Sequence, residues 1–245
     1  MRERTFTSGR ALIYLVVSLV APEPDAPPDT PRTLAAAVIG PVRDILSRRG
    51  WINLLLLITL YKFGDALAGT LTTAFLIRGV GFSLTEVGVI NKWLGFASLV
   101  TGALIGGALM ANMSLFRALM LFGVLQAVSN LSFAALAWAG KSYALLVFTV
   151  GFENLASGMG TAAFVAFAMA LCNHRFSATQ YALLSALASL GRILFGPVTG
   201  ELVAILDWGN FFVLTFFAAL PGLYLVWLMR EEIAEAERNA PAASA

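Results

Sequence analysis

Several ionisable or amide side chains lie inside stretches otherwise built from apolar residues. Lys62 and Asp65 are three residues apart, with Tyr61 alongside, a spacing that puts the charged pair on one helical face. Glu153 and Asn154 are adjacent in a second apolar stretch, Asn91 and Lys92 in a third, and Arg192 stands in a fourth. An ionisable group at membrane depth is costly and by default marks a pathway or a relay. Lys62 and Asp65 read either as a self-neutralising structural pair or as part of a polar cavity. Glu153 has no basic residue within one helical turn. Because burial disfavours the charged form of a carboxyl group, Glu153 is the first candidate to load and release a proton, and Asp65 the second. A structural Glu153, protonated or paired at a distance, is the competing reading. Arg192 and Lys92 have the chemistry to hold an anionic solute, the arginine through a bidentate fork, or to pair with Glu153 or Asp65.

Covalent and metal chemistry find little support. Cys172 is the only cysteine and His174 the only histidine. An intrachain disulfide, a cysteine-based metal site and a multi-histidine site are therefore excluded, and neither a metal nor a cofactor is expected. No GxSxG, HExxH or pair of catalytic aspartates occurs in the apolar stretches, so an enzyme is not expected. A net charge of +2, with scattered basic groups, gives no surface for nucleic acid.

The elements that position these residues follow from composition. The chain has 245 residues, 59% apolar and 12% charged, with a mean hydropathy of +0.82. Soluble domains carry about 25% charged residues, so a soluble enzyme, a disordered chain and a secreted disulfide scaffold are excluded. A helix needs about 20 mostly apolar residues to cross a bilayer. Six segments qualify: Trp51 to Ile77, Leu84 to Met110, Leu115 to Trp138, Tyr143 to Leu171, Ala178 to Leu206, and Phe211 to Leu228. The lipid bilayer is thus the first expected partner, and the expected fold is an all-α membrane bundle occupying residues 51–229.

The flanks read differently. Ala11 to Ala21 is too short to span and reads as the end of a preceding transmembrane helix (residues 1–21), with a cleaved signal peptide as the weaker alternative. Residues 22–50 read as a cytoplasmic linker. Its first part is rich in proline and acid. In its second part Leu34, Val38, Val42, Ile45 and Leu46 recur at helical spacing, followed by Ser47-Arg-Arg. That pattern fits an interfacial amphipathic helix anchored by Arg43, Arg48 and Arg49, or a solvated linker helix. Residues 230–245 read as a tail. Arginines in alternate loops place both ends of the six-helix region in the cytoplasm, leaving Arg78 and Lys141 outside.

Two pairs of motifs repeat in order. Gly69-Thr-Leu-Thr-Thr-Ala-Phe75 parallels Gly158-Met-Gly-Thr-Ala-Ala-Phe164, and Phe82-Ser-Leu-Thr-Glu86 parallels Phe176-Ser-Ala-Thr-Gln180. The second pair reads as two capping boxes, each opening a helix. A three-helix unit repeated after an odd number of crossings is inverted in the membrane, as within each half of major facilitator transporters. Small residues mark close approach at Gly102-x-x-x-Gly106, and at Gly196, Pro197 and Gly200, where the proline also removes a backbone hydrogen bond. The latter stretch is the candidate gate.

Taken together, the motifs resemble the AmpG-type muropeptide permeases of the major facilitator superfamily. The matching stretches are Leu60-Tyr-Lys-Phe-Gly-Asp65, Phe75-Leu-Ile-Arg-Gly-Val-Gly-Phe82, Glu86-Val-Gly-Val-Ile-Asn-Lys92, Ser114-Leu-Phe-Arg-Ala-Leu119, Phe152-Glu-Asn-Leu155 with Gly158-Met-Gly-Thr161, and Phe176-Ser-Ala-Thr-Gln180 with Ala182-Leu-Leu-Ser-Ala186. They are spread over residues 51 to about 228 and look like the C-terminal half of such a permease. The resemblance implies proton-driven import of N-acetylglucosaminyl-1,6-anhydromuropeptides across the bacterial inner membrane for peptidoglycan recycling, with a link to antibiotic resistance. In that architecture the first helix of each triplet lines the cavity, the second flanks it and the third faces lipid. A cavity between two halves requires a second six-helix half, either a separate N-terminal half or a homodimer partner. The alternative is a truncated or half-size protein that does not transport on its own and serves as a scaffold.

Overall fold

The computed structural model describes residues 34–48, 50–173 and 176–239. Residues 1–33, and with them the expected helix remnant and the proline-rich part of the linker, lie outside the described residues, as do Arg49, His174, Arg175 and residues 240–245. Among the described residues the chain is helical throughout, with no strand. A short α1 (Leu34–Ser47) precedes α2 (Trp51–Gly79), α3 (Leu84–Met110), α4 (Leu115–Ala139) and α5 (Tyr143–Ala170). One helical run, Ser177–Leu228, follows. It divides at Asp207, whose φ of 65° and ψ of 165° leave helical geometry, into α6 (residues 177–206) and α7 (residues 208–228). The terminal α8 covers Arg230–Asn239.

Among the described residues, four helices are long and apolar enough to cross a membrane: α2, α3, α4 and the run Ser177–Leu228. The fourth expected span, α5, has 28 residues but carries Glu153, Asn154 and three glycines near its middle, which dilute its apolar content. The fifth and sixth expected spans are the two arms of the long run, with Asp207 as their joint.

Contact order along each pair gives relative direction. Leu94 and Met159 bracket a seam in which α3 and α5 run parallel, Gly95 facing Asn154 and Gly106 facing Met159. Likewise α2 and α6 are parallel, with Phe63 on Gly191 and Thr70 near Gly196. By contrast, α2 and α7 are antiparallel, Leu60 meeting Gly222 and Gly64 meeting Thr215. The same holds for α4 and α7, where Gly123 meets Leu223 and Trp138 meets Gly209, and for α4 and α5, where Gln126 meets Gly160 and the Thr149 hydroxyl donates to the Ser132 carbonyl at 3.3 Å. All five pairings agree with a chain that reverses direction at each connection.

The connections are built by local chemistry. Gly81, at φ 87°, turns the chain into a capping box in which Ser83 Oγ accepts from the Glu86 N–H at 3.2 Å and a Glu86 carboxylate oxygen accepts from the Ser83 N–H at 2.6 Å. The first expected capping box is therefore present. The second is not. α6 opens at Ser177 with Phe176 in the cap position and no side-chain cap bond, because Gln180 is engaged elsewhere. Its Oε1 accepts from the Asn173 N–H at 2.7 Å, and its Nε2 donates to Asp44 at 2.8 Å and to the Pro41 carbonyl at 3.3 Å.

That network docks α1 on the start of α6. Ile45 is buried, Arg48 pairs with Asp44 at 2.7 Å and donates to the Leu171 carbonyl at 2.5 Å. The tail is also anchored: in α8, Ile233 is buried and the Glu237 carboxylate accepts from the Leu115 N–H at 2.9 Å, capping α4. At the opposite end an aromatic cluster closes the bundle. Phe75 meets Phe212 edge-on at 4.8 Å and Phe133 stacks on Phe212 at 5.0 Å, pairs worth about 0.5–1.5 kcal/mol each beyond burial.

Candidate functional site

The α-helix of α2 is interrupted at Lys62. It runs from Trp51 to Tyr61, leaves helical geometry at Lys62 (φ −98°, ψ 6°), and resumes at Phe63. Glycines hold this break against α7. A methyl group on Gly64 would lie 2.6 Å from the Thr215 carbonyl oxygen, and one on Gly222 would lie 2.5 Å from that of Leu60. Backbones therefore touch on both sides of Lys62, which confines its side chain to the other face of α2.

On that face the polar groups converge. Lys62 Nζ lies 3.8 Å from Asp65 Oδ2 and donates to Thr161 Oγ1 of α5 at 3.1 Å. Asp65 Oδ2 accepts from Gln126 Nε2 of α4 at 2.6 Å. The side chains of Lys62 and Asp65 are only 18% and 16% exposed, so their mutual attraction is poorly screened. Gly160 makes the room: any side chain there would collide with the Gln126 amide. One turn of α5 thus serves three neighbours, with Gly158 pressed on α3, Gly160 on Gln126, and Thr161 holding Lys62.

Glu153 lies two turns earlier on α5, with Asn154 Nδ2 donating to its Oε2 at 2.7 Å and also to the Val150 carbonyl at 2.9 Å. It has no ion pair among the described residues, yet it falls within the electrostatic reach of both Lys62 and Asp65. The site therefore gathers one amine and two carboxyls from α2 and α5. With all three charged it would be left with one excess negative charge, which a proton or a cationic group can balance.

The remaining candidates are placed elsewhere. Tyr61 is buried in the apolar core, its hydroxyl donating to the Leu119 carbonyl at 3.0 Å and its ring stacked on Phe164. Asn91 and Lys92 occupy a π-helical turn, Asn91–Gly95, within α3, a backbone irregularity frequent at functional sites. Lys92 is exposed and lies 5.9 Å from the ring centre of the exposed Trp93. Arg192 is exposed on α6 and pairs with neither Glu153 nor Asp65. Its neighbour Gly191 is buried against Phe63, next to the break. Among the described residues a methyl group on Gly196 would meet only Thr70, at 3.8 Å, and one on Gly200 would meet nothing, while Pro197 is exposed.

Two residues of the cluster were not foreseen as site residues. Gln126 sits one turn from Asn130 on α4, a polar pair in an apolar helix, and that spacing was the available signal. Thr161 was visible as part of the repeated motif and of a matching stretch, but not as a site residue. The third helix of the first triplet, α4, has one face in the bundle and one face exposed, the latter carrying Leu121, Val124 and Val128. The most apolar stretch of α4 is 56% buried inside the bundle, against 17% for α3, and on that inner face Gln126 reaches Asp65 of α2. The Asn130 amide, fully buried, has no hydrogen-bond partner among the described residues.

No protein-family model matches the chain. Curated relatives do. The chain is 50% identical over 219 residues, 89% of its length, to the anhydromuropeptide permease of Escherichia coli K12, of which it covers 45%. It is 32% identical over 197 residues, 80% of its length, to a Rickettsia felis protein named as transporter AmpG 4, covering 47% of it. A Rickettsia prowazekii protein named as transporter AmpG 1 is 32% identical over 182 residues, 74% of the chain and 41% of the relative. These relatives are named permeases or transporters, not enzymes. The chain spans about half the length of the curated relatives it matches. This multi-pass helical bundle, with polar groups gathered at a broken helix, is along most of its length homologous to about half of proteins named anhydromuropeptide permease and AmpG transporter.

Proposed function

We propose that the chain forms one wall of a proton-coupled pathway importing N-acetylglucosaminyl-1,6-anhydromuropeptides across the bacterial inner membrane. The observation that carries this reading is the gathering of Lys62, Asp65 and Glu153 from two helices at the break in α2. Broken helices near the bilayer midplane are where transporters build substrate and ion sites. Glu153 is the proton carrier in this scheme, with Asp65 second. Lys62, Asn154 and Thr161 present donors and acceptors to the solute, and Arg192, Asn91 and Lys92 extend the polar surface toward a second six-helix half. Gly196, Pro197 and Gly200, loosely packed on α6, are the places where that helix bends as access alternates. Both ends of the six-helix region lie in the cytoplasm, flanked by the linker with α1 and by the tail.

The six spans are two inverted triplets in this reading. Exchanging α2 with α5, α3 with α6, and α4 with α7 maps each main packing on another. The parallel pair α3–α5 becomes α6–α2, the antiparallel pair α4–α5 becomes α7–α2, and α4–α7 becomes itself.

The test is uptake of labelled anhydromuropeptide into proteoliposomes holding this chain and its complementary six-helix half. Under an imposed proton gradient the wild type accumulates solute, whereas Glu153→Gln binds it without accumulation. Concentrative, pH-sensitive uptake by Glu153→Gln removes Glu153 from the mechanism. Asp65→Asn distinguishes the roles of the Lys62 pair: normal expression with lost uptake assigns it to the pathway, and reduced insertion assigns it to structure.

A further inference from the structure

A cavity of about 560 Å³ opens between the start of α4 and α8, lined by Ser114, Phe116, Arg117, Arg230, Glu231 and Arg238. Its charges are unevenly matched. Arg230 faces Glu231 at 3.8 Å across an exposed pair, and Glu237 is taken up in capping α4. Arg117 and Arg238 have no ion-pair partner among the described residues. Arg117 also lies in the first turn of α4, where the helix dipole disfavours a cation. The Ser114 hydroxyl at the cap makes no cap bond.

Two apolar stripes lead away from these arginines. From Arg117 the exposed side chains Leu121, Val124 and Val128 follow along α4. From Arg230, which lies 5.5 Å from the ring centre of Trp227, the exposed Trp227, Tyr224 and Leu220 follow along α7. Tyr and Trp at such a position are typical of the membrane–water boundary. We propose that this cavity binds the headgroup of an anionic phospholipid, its phosphate held by Arg117, Arg230 and Arg238 and its acyl chains laid along the exposed stripes of α4 and α7. Free phosphate would satisfy the arginines alone. The stripes favour a lipid, since basic pockets at helix ends are matched to anionic headgroups.

Native mass spectrometry of the delipidated chain, titrated with phosphatidylglycerol and with phosphatidylcholine, tests the site. Phosphatidylglycerol should bind in preference. Arg117→Ala and Arg238→Ala should each weaken it about fivefold, Arg→Lys at either position should retain most of the binding, and Arg78→Ala at the opposite end should change nothing. Equal binding of the two lipids, or undiminished phosphatidylglycerol binding in the Arg117→Ala/Arg238→Ala variant, overturns the proposal. So does glycerol phosphate competing as well as the lipid, which would assign the site to a soluble anion. Should the double variant fail to fold, the wild type decides: binding must fall with added salt, and salt-insensitive binding overturns the site.

Discussion

Two small-residue stretches of similar composition have opposite environments. Gly102 and Gly106 of α3 lie against α5 with no space for a side chain. A methyl group on Gly106 would sit 2.9 Å from Met159 Cα, and one on Gly102 would collide with the Leu155 carbonyl. Gly158 answers from the other side: a methyl group there would lie 2.8 Å from the Ala103 nitrogen and collide with the Leu99 carbonyl. Gly196 and Gly200 of α6 have almost nothing against them. The first stretch is a backbone-to-backbone seam of the kind that holds membrane helices together without a hydrophobic drive. The second leaves α6 free to change shape. One motif type thus serves adhesion in one helix and compliance in another.

Substitution separates the two most sharply. Gly158→Val should force α3 and α5 apart and cost about 3 kcal/mol or more, read as loss of the folded fraction in denaturant titration of the reconstituted protein. Folding as stable as the wild type would break the contrast. An intermediate effect is expected at the polar cluster: Gln126→Ala removes the donor to Asp65 Oδ2 and should cost about 2 kcal/mol, with Gln126→Glu worse because it sets a second carboxylate against Asp65. A stability unchanged in both would detach α4 from the site.

Smaller effects belong to the rim. Burial would raise the Asp44 carboxyl, but hydrogen bonds from Gln180 and Arg48, and the Arg48 charge, outweigh it and hold the group below its ordinary value of 3.8. Because the value in the docked state is depressed, the contribution to docking is complete above the undocked value. It is lost as the pH falls below 3.8 through the lowered one. The protection of α1 amides against hydrogen exchange, taken relative to the intrinsic rate at each pH, should therefore be flat from neutral pH to about pH 5 and fall only in stronger acid, and Gln180→Ala should lower it at every pH. The smallest change is Gly200→Ala, which should shift stability by less than about 1 kcal/mol, in the stabilising direction. A large loss there would show a packing partner for α6 and erase the difference between the two stretches.

Much of this molecule could be read in advance. Apolar length alone marks the helical segments, since a bilayer admits few other structures, and the Ser83–Glu86 box is a local pattern that needs only its own four residues. The like pattern at Ser177–Gln180 failed because Gln180 had a better offer from α1, more than 130 residues away in sequence. Lys62 and Asp65 are joined by helical spacing and met as expected. Their link to Gln126 and Thr161 crosses three helices, and no local pattern records which face of α4 or α5 turns inward.

Composition and spacing were enough to determine a membrane-embedded helical chain with costly charges inside it, because those properties are summed along the sequence. Only the tertiary structure decided which charges share a site, which tyrosine is core, and which glycines are contacts. Those outcomes depend on how neighbouring helices rotate and approach, a balance of close packing and polar satisfaction that exists only when all the surfaces are present together.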